Sequence, residues 1–552
     1  MSYPEIPLAQ SILQLFKAKN IQHIVISPGS RNAPLTIGFT NDSFFTCYSI
    51  VDERCAAFFG LGIGQQIKQP VALVCTSGSA LLNYYPAIAE AFYSQIPLIV
   101  VSADRPTEKI DIGDGQTIRQ RNVFENHSLM NANLNENASA ENDRLIQLAI
   151  EKAKKLKGPV HINVPFEEPL YNSIDLPTYT AKVIEEVLDE ELGNNFDPSL
   201  FYSAKKIVVL IGSQDPYAID QKNIDFLAEL PQVVVLTEIN SNVHHPYIVS
   251  NIDTLITTFT EEDFKNFQPD LLITFGGMVV SKRVKAMFRT YPPKQHWHVD
   301  SLRAYNTFGS LTAHVKQSVN SFIEQLKKGI SIKESSFAAT VNQLMKERKA
   351  GHQRYLQNIP FSDLKAFDGI WKQLPQNIQL QISNSAVIRY AQLFETHPSV
   401  DVYCNRGTSG IDGSTSTAVG AATASTKPTV LITGDISFFY DSNGLWNNYI
   451  PNNFKIIIIN NSGGGIFRIL PGHQENFTFN TFFETEHQLT AEHLAKMYNF
   501  KYYTAVNETE LEMALKLLFI NNEQPQILEV FTPSKINRDL LRNYFTHIIN
   551  KI

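Results

Sequence analysis

The feature that most constrains this chain is a series of short, nearly continuous Val/Ile/Leu runs, separated by stretches of helical pattern, along its whole length. They are HIVIS, TCYSI, VALVC, LIVVS and HINVP, then KIVVLIG, QVVVLT, DLLITFG and HWHVD, then VYCN, VLITG, KIIIIN and QILEVF. A strand without polar alternation is covered on both faces, and helices between such strands supply the crossovers that parallel pairing requires. The expected class is therefore α/β, with parallel sheets flanked by helices. At 552 residues the chain exceeds what one core organises. Polar, Pro-containing passages break the series near 170–204 and 330–368, which predicts three domains over residues 1–178, 179–345 and 346–552.

With 43% hydrophobic and 18% charged residues, the composition is that of an ordinary globular protein. A formal net charge of -7 offers no basic field for nucleic acid or an anionic membrane, so any Lys or Arg that matters acts locally. The apolar runs are far shorter than the roughly 20 residues of a membrane-spanning helix, so no membrane span is expected. The opening MSYPEIPLAQSILQLFKAKN lacks a basic leader region and reads as an amphipathic helix with Ile12, Leu15 and Phe16 on one face, which predicts a cytoplasmic protein. Cys47, Cys55, Cys75 and Cys404 show no CxxC spacing and read as small hydrophobes. The middle third carries no GxGxxG, so no dinucleotide site is expected there. His296 and His298 share one face of a strand and read as a surface or satisfied pair, while His244 and His245 begin a loop with no third ligand at metal spacing.

Two places carry chemistry. Asp435 follows the run VLIT and Asn461 follows KIIII; they are 26 positions apart, as are Gly78 and Asp104 in a similar strand-helix-strand stretch of the first domain. Parallel strands joined by a crossover end on the same sheet edge, so a carboxylate and an amide oxygen meet where open α/β sheets bind ligands. Two hard oxygen donors suit Mg²⁺, which takes remaining ligands from water or phosphate. Gly463, Gly464 and Gly465 follow at once, and residues without Cβ let N–H groups approach anionic oxygens. The second place is SIVDERCAAFFGLG, where Glu53 stands at a strand end against an apolar wall that disfavours its ionised form and raises its pKa.

This combination resembles the GD-to-NN metal motif of thiamine-diphosphate enzymes, with Ile436 where many members carry a second Gly. The resemblance implies three α/β domains, pyrimidine-binding, central and diphosphate-binding. It implies thiamine diphosphate with Mg²⁺, or Mn²⁺, held by Gly434, Asp435, Ile436, Ser437, Asn461, Gly463, Gly464, Ile466 and Phe467. Asp435, Asn461 and the Gly463 carbonyl would bind the metal, and Ile411 would sit beneath the thiazolium. Glu53 would exchange a proton with the aminopyrimidine N1′ of a cofactor held mainly by a neighbouring subunit. A homodimer or homotetramer with active sites at the subunit interface follows.

The remaining signals are basic residues at strand ends: Arg31, Arg105, Lys282, Arg283, Arg389 and Arg406. A planar guanidinium suits two-pronged binding of a carboxylate, and six basic residues, five of them Arg, around one cofactor imply substrates with several carboxylates. The phrases SPGSRNAPLT, DERCAAFFGLG, TSGSALLNYYPA, SADRP, SKRV and NRGTSGIDG resemble those of the menaquinone-biosynthesis synthases within the superfamily. These decarboxylate 2-oxoglutarate and add the four-carbon unit to isochorismate. The resemblance places Ser30, Arg31, Arg105, Gln116, Lys282, Arg283, Ser385, Arg389 and Arg406 against substrate. It departs at Gly115, where some members carry Asn. A different 2-oxo acid decarboxylase or carboligase, such as an acetolactate-synthase relative, is the competing reading, and the basic cluster argues against it.

Overall fold

Each of the apolar runs becomes a strand, and the strands gather into three parallel sheets flanked by helices. The computed structural model describes residues 2–184, 196–329, 334–469, 474–520 and 523–549. The first sheet contains β1 (His23–Ile26), β2 (Thr46–Ser49), β3 (Val71–Cys75), β4 (Leu98–Asp104), β5 (Asn131–Asn133) and β6 (Val160–Pro165). The second contains β7 (Ile207–Ile211), β8 (Val233–Thr237), β9 (Leu271–Phe275), β10 (Gln295–Val299) and β11 (Ala313–Val315). The third contains β12 (Gln379–Ile382), β13 (Asp401–Tyr403), β14 (Thr429–Gly434), β15 (Lys455–Asn460), β16 (Lys501–Ala505) and β17 (Gln526–Phe531).

The first sheet runs β2-β1-β3-β4-β6-β5 and the third runs β13-β12-β14-β15-β17-β16, the same order once each is counted from its own first strand. The equal spacing read from the sequence thus belongs to two copies of one topology. The second sheet is β8-β7-β9-β10-β11. In it His296 Nε2 and His298 Nδ1 share the Thr274 hydroxyl, each at 2.9 Å, which holds both rings in the sheet, while His296 Nδ1 is buried without a hydrogen-bond partner.

The helices that matter for the site are α1 (Pro7–Ala18), α2 (Glu53–Ile67), α3 (Tyr85–Ser94), α4 (Lys282–Thr290), α5 (Phe337–Asn358), α6 (Asp363–Gln373), α7 (Ala386–Ala391), α8 (Ser414–Ala424) and α9 (Asp435–Tyr440). Ile12, Leu15 and Phe16 of α1 are buried. Cys55, Cys75 and Cys404 are buried and Cys47 partly so, all as free thiols. Helix α2 lies directly on α8, which joins the first sheet to the third. Two glycines set the approach: a Cβ on Gly62 would stand 2.1 Å from the Thr417 carbonyl oxygen, and one on Gly420 would stand 2.0 Å from that of Phe59. Phe58, Phe59, Ala418 and Val419 share the resulting core. Among the described residues no helix is long and apolar enough to cross a membrane.

Candidate active site

The first half of the site lies at the carboxyl edge of the first sheet. β2 ends at Ser49, and Asp52 caps α2 by accepting the Cys55 N–H at 3.1 Å, so Glu53 is the first helical residue. The helix cap and the functional reading of this acidic pair therefore coexist, divided between Asp52 and Glu53. Burial raises the Glu53 pKa above its usual value and the Asp52 charge adds to it. Its charge is felt by Cys75, at the end of β3, and by Tyr84 just beyond. Arg54 turns the other way, donating to the carbonyls of Asp412 (2.6 Å) and Tyr440 (3.1 Å), which fastens the helix start to the third sheet.

Arg31 and Arg105 flank this edge. Arg31 is buried, donating to the Phe166 carbonyl at 3.0 Å and to Glu168 at 3.2 Å. Burial, and after it the nearby Arg105 charge, lower the Arg31 pKa. Arg105 donates to the Gly115 carbonyl at 2.9 Å, so the position that lacks an Asn side chain serves through its backbone. Gln116 has φ +53° and its carbonyl oxygen lies 3.0 Å from where a Gly78 Cβ would be, which is why a glycine stands in that turn.

The second half lies at the carboxyl edge of the third sheet. Asp435 and Asn461 follow β14 and β15 and are buried. Asp435 accepts N–H bonds from Ile436 (2.7 Å) and Gly463 (3.0 Å), with His487 Nε2 3.3 Å away. Asn461 donates its amide to Asp363 at 2.9 Å, which leaves its carbonyl oxygen for another partner. The Asp435 carboxylate and the free Asn461 carbonyl oxygen are hard oxygen donors, the chemistry that would suit a divalent cation. The Ser437 hydroxyl donates to the Ile411 carbonyl at 3.1 Å, tying the SGIDG turn to the same place. The glycine run has a further cause here: a Gly463 Cβ would meet the Glu484 carbonyl oxygen at 2.8 Å, so the chain's own 479–484 segment needs that space.

Arg283, Arg389 and Arg406 converge beside this half. Burial lowers the Arg389 pKa, and the charges of Arg406 and Arg283 lower it further against the opposing pull of Asp253. Arg283 also lies over the Phe545 ring, 4.3 Å from its centroid. Lys282 is exposed at the start of α4, and Ser385 opens α7 with φ +68°. The Nε atoms of Arg31, Arg105 and Arg406 are buried without a hydrogen-bond partner. A cavity of about 720 Å³ opens where the three sheets meet and includes Arg406 in its wall, but not Glu53, Asp435 or Asn461.

Two comparisons bear on this geometry. Residues 6–131 match the model of the thiamine pyrophosphate enzyme N-terminal TPP-binding domain, and residues 385–530 match that of the C-terminal TPP-binding domain. A Flavobacterium psychrophilum protein named 2-succinyl-5-enolpyruvyl-6-hydroxy-3-cyclohexene-1-carboxylate synthase is 62% identical over 550 residues, covering 99% of this chain and 100% of the relative. The chain belongs to the family of these synthases. Its members of the same name include those of Flavobacterium johnsoniae, 58% identical over 99% of this chain and 100% of the relative, and Christiangramia forsetii, 51% identical over 99% of each. As a family member the chain is a thiamine-diphosphate-dependent enzyme.

Four residues that no motif marked support the family's site. Asp363 orients Asn461, accepts the Thr532 hydroxyl at 2.5 Å and is pushed by burial up to about 6. Glu238, pushed by burial to about 7, accepts the N–H groups of Val280 (2.6 Å) and Ser281 (2.7 Å) and so holds the turn into α4 that carries Lys282 and Arg283. Asn384 accepts from Arg406 at 2.6 Å and donates to the carbonyls of Asn405 and Gly410, each at 2.7 Å. Glu90 grips the same turn from the first sheet's helices. Polar type and burial alone would have singled out none of them in the sequence.

Proposed function

We propose that this chain decarboxylates 2-oxoglutarate and adds the resulting four-carbon unit to isochorismate, releasing CO2, in menaquinone biosynthesis. Thiamine diphosphate, when bound, supplies the carbon centre that accepts the 2-oxo acid and stabilises the negative charge left by CO2. The proposed protein roles follow from the two half-sites. Glu53, its pKa raised by burial, holds and returns a proton at the aminopyrimidine N1′. Asp435, Asn461 and the Gly463 carbonyl hold Mg²⁺, with Gly434, Ile436, Ser437, Gly464, Ile466 and Phe467 around the diphosphate and Ile411 against the thiazolium.

The observation that carries the dicarboxylate reading is the set of buried Nε donors without a hydrogen-bond partner on Arg31 and Arg406, with Arg105 Nε facing only the Asp114 carboxylate at 3.8 Å, in a chain whose net charge is -7. Unsatisfied buried guanidinium donors are costly unless an anion completes them. Ser30, Gln116, Lys282, Arg283, Ser385 and Arg389 complete the substrate-facing set. By resemblance to thiamine-diphosphate enzymes, the site is completed across a homodimer or homotetramer, with Glu53 from one chain and Asp435 and Asn461 from its partner. The cytoplasm is the proposed location.

The test is CO2 release from 2-oxoglutarate with thiamine diphosphate and Mg²⁺, with and without isochorismate. Release should accelerate when isochorismate is present, and pyruvate should not substitute. Equal rates with pyruvate would instead support an acetolactate-synthase-like carboligase.

A further inference from the structure

We infer that Glu90 is a positioning residue that sets the place of Arg406 from the far side of a sheet-to-sheet junction. Glu90 lies on α3, among the helices of the first sheet, and is 1% exposed. Its Oε1 accepts the Gly407 N–H at 2.7 Å and the Ser94 hydroxyl at 2.6 Å; its Oε2 accepts the Thr408 N–H at 2.6 Å and the Thr408 hydroxyl at 2.8 Å. No ion pair engages it among the described residues. A buried carboxylate without a cation is expensive, and four convergent donors are what make it tolerable. Two of those donors are consecutive backbone N–H groups, one for each carboxylate oxygen. A glutamine offers one acceptor oxygen where the turn presents donors to both sides, so packing alone does not explain the acid.

What is clamped matters as much as how. Gly407 and Thr408 follow Arg406 directly and precede Ile411, in the turn 404–413 that feeds α8. A Cβ on Gly407 would lie 2.5 Å from the Glu90 carbonyl oxygen, so the turn is seated on α3 without room to shift. Asn384 holds the other side, binding Arg406 Nη1 through its oxygen and the Asn405 and Gly410 carbonyls through its nitrogen. Asn384 thus holds the Arg406 guanidinium through Nη1 and Glu90 holds the peptides that follow, while Arg406 Nε is buried without a hydrogen-bond partner. Glu90 thereby presets a carboxylate clamp whose backbone belongs to the third sheet.

This inference rests on the reading of Arg406 as a substrate-binding residue, and the experiment separates the two. KM for 2-oxoglutarate and for isochorismate is measured for wild type, Arg406→Ala, Glu90→Gln and Thr408→Val, with thiamine diphosphate and Mg²⁺ saturating. Arg406→Ala identifies the dicarboxylate that depends on the guanidinium by the KM that rises. Glu90→Gln should raise that same KM by about three- to thirty-fold, the factor that one or two weakened hydrogen bonds represent, and leave the other KM unchanged. Amide hydrogen exchange over residues 404–412 should accelerate in the same variant. Thr408→Val removes one donor and keeps the acid; it should raise the same KM by a smaller factor, and it decides the matter should Glu90→Gln fail to fold. If Arg406→Ala raises one KM while Glu90→Gln and Thr408→Val lower only kcat or the melting temperature, Glu90 is structural and the inference is overturned. If Arg406→Ala moves neither KM, the substrate role of Arg406 falls and this inference with it.

Discussion

Glu53 combines two demands that pull in opposite directions. Its place as first residue of α2 favours the anion, through the partial positive charge of a helix start. Burial outweighs that and raises its pKa. Removing the acid while keeping its shape, as Glu53→Gln, should lower turnover by ~10²–10⁴-fold, the scale of a lost general acid or base, as followed by CO2 release. The same shift fixes a sign for stability. A raised pKa in the folded state means that the stabilisation is present below the ordinary value of 4.5 and is lost as pH rises through the raised value. Glu53→Gln removes that loss, so its melting temperature should exceed that of wild type near pH 8, with the gap closing toward pH 4.5. A gap independent of pH would show that the carboxyl is not strained by burial.

At the scale of elements, the site depends on how strand ends and helix starts meet. Asp363, at the beginning of α6, reaches Asn461 after β15 and aims its amide. Asp363→Ala should weaken Mg²⁺-dependent thiamine diphosphate binding by about 10–100-fold, the usual effect of losing a partner that orients a metal ligand, as read by calorimetric titration. The α2–α8 junction is tighter still. Gly420→Val puts methyl groups into the Phe59 backbone and should destabilise the fold by about 1–3 kcal/mol or more in chemical denaturation.

The strands of high apolar content were legible as strands because burial on both faces leaves no other composition. Those that escape the pattern do so for identifiable reasons. β5 and β11 are three residues long, and β16 is a partly exposed edge strand, KYYTA. β12 is fully buried yet reads QLQI: Gln381 spends its amide on Gln65 of α2, 2.9 Å away across the junction, while the Gln379 amide nitrogen is buried without a hydrogen-bond partner. The supporting residues were invisible for a related reason. Glu90 and the turn it holds are more than 300 positions apart, and Glu238 and its turn about 40, so no local spacing betrays either.

For the whole molecule, the duplicated topology of the first and third sheets puts two similar strand-end edges in one chain, one carrying Glu53 and the other Asp435 and Asn461. The central claim is that one functional site takes Glu53 from one chain and Asp435 from another. Its most direct test mixes two inactive variants, Glu53→Gln and Asp435→Ala, after dissociation and reassembly. In a mixed dimer one site pairs an intact Glu53 with an intact Asp435, so random reassociation should restore about a quarter of wild-type CO2 release. A mixture that stays as inactive as its components, although subunit exchange is verified, would place both residues in a site within a single chain and contradict the account.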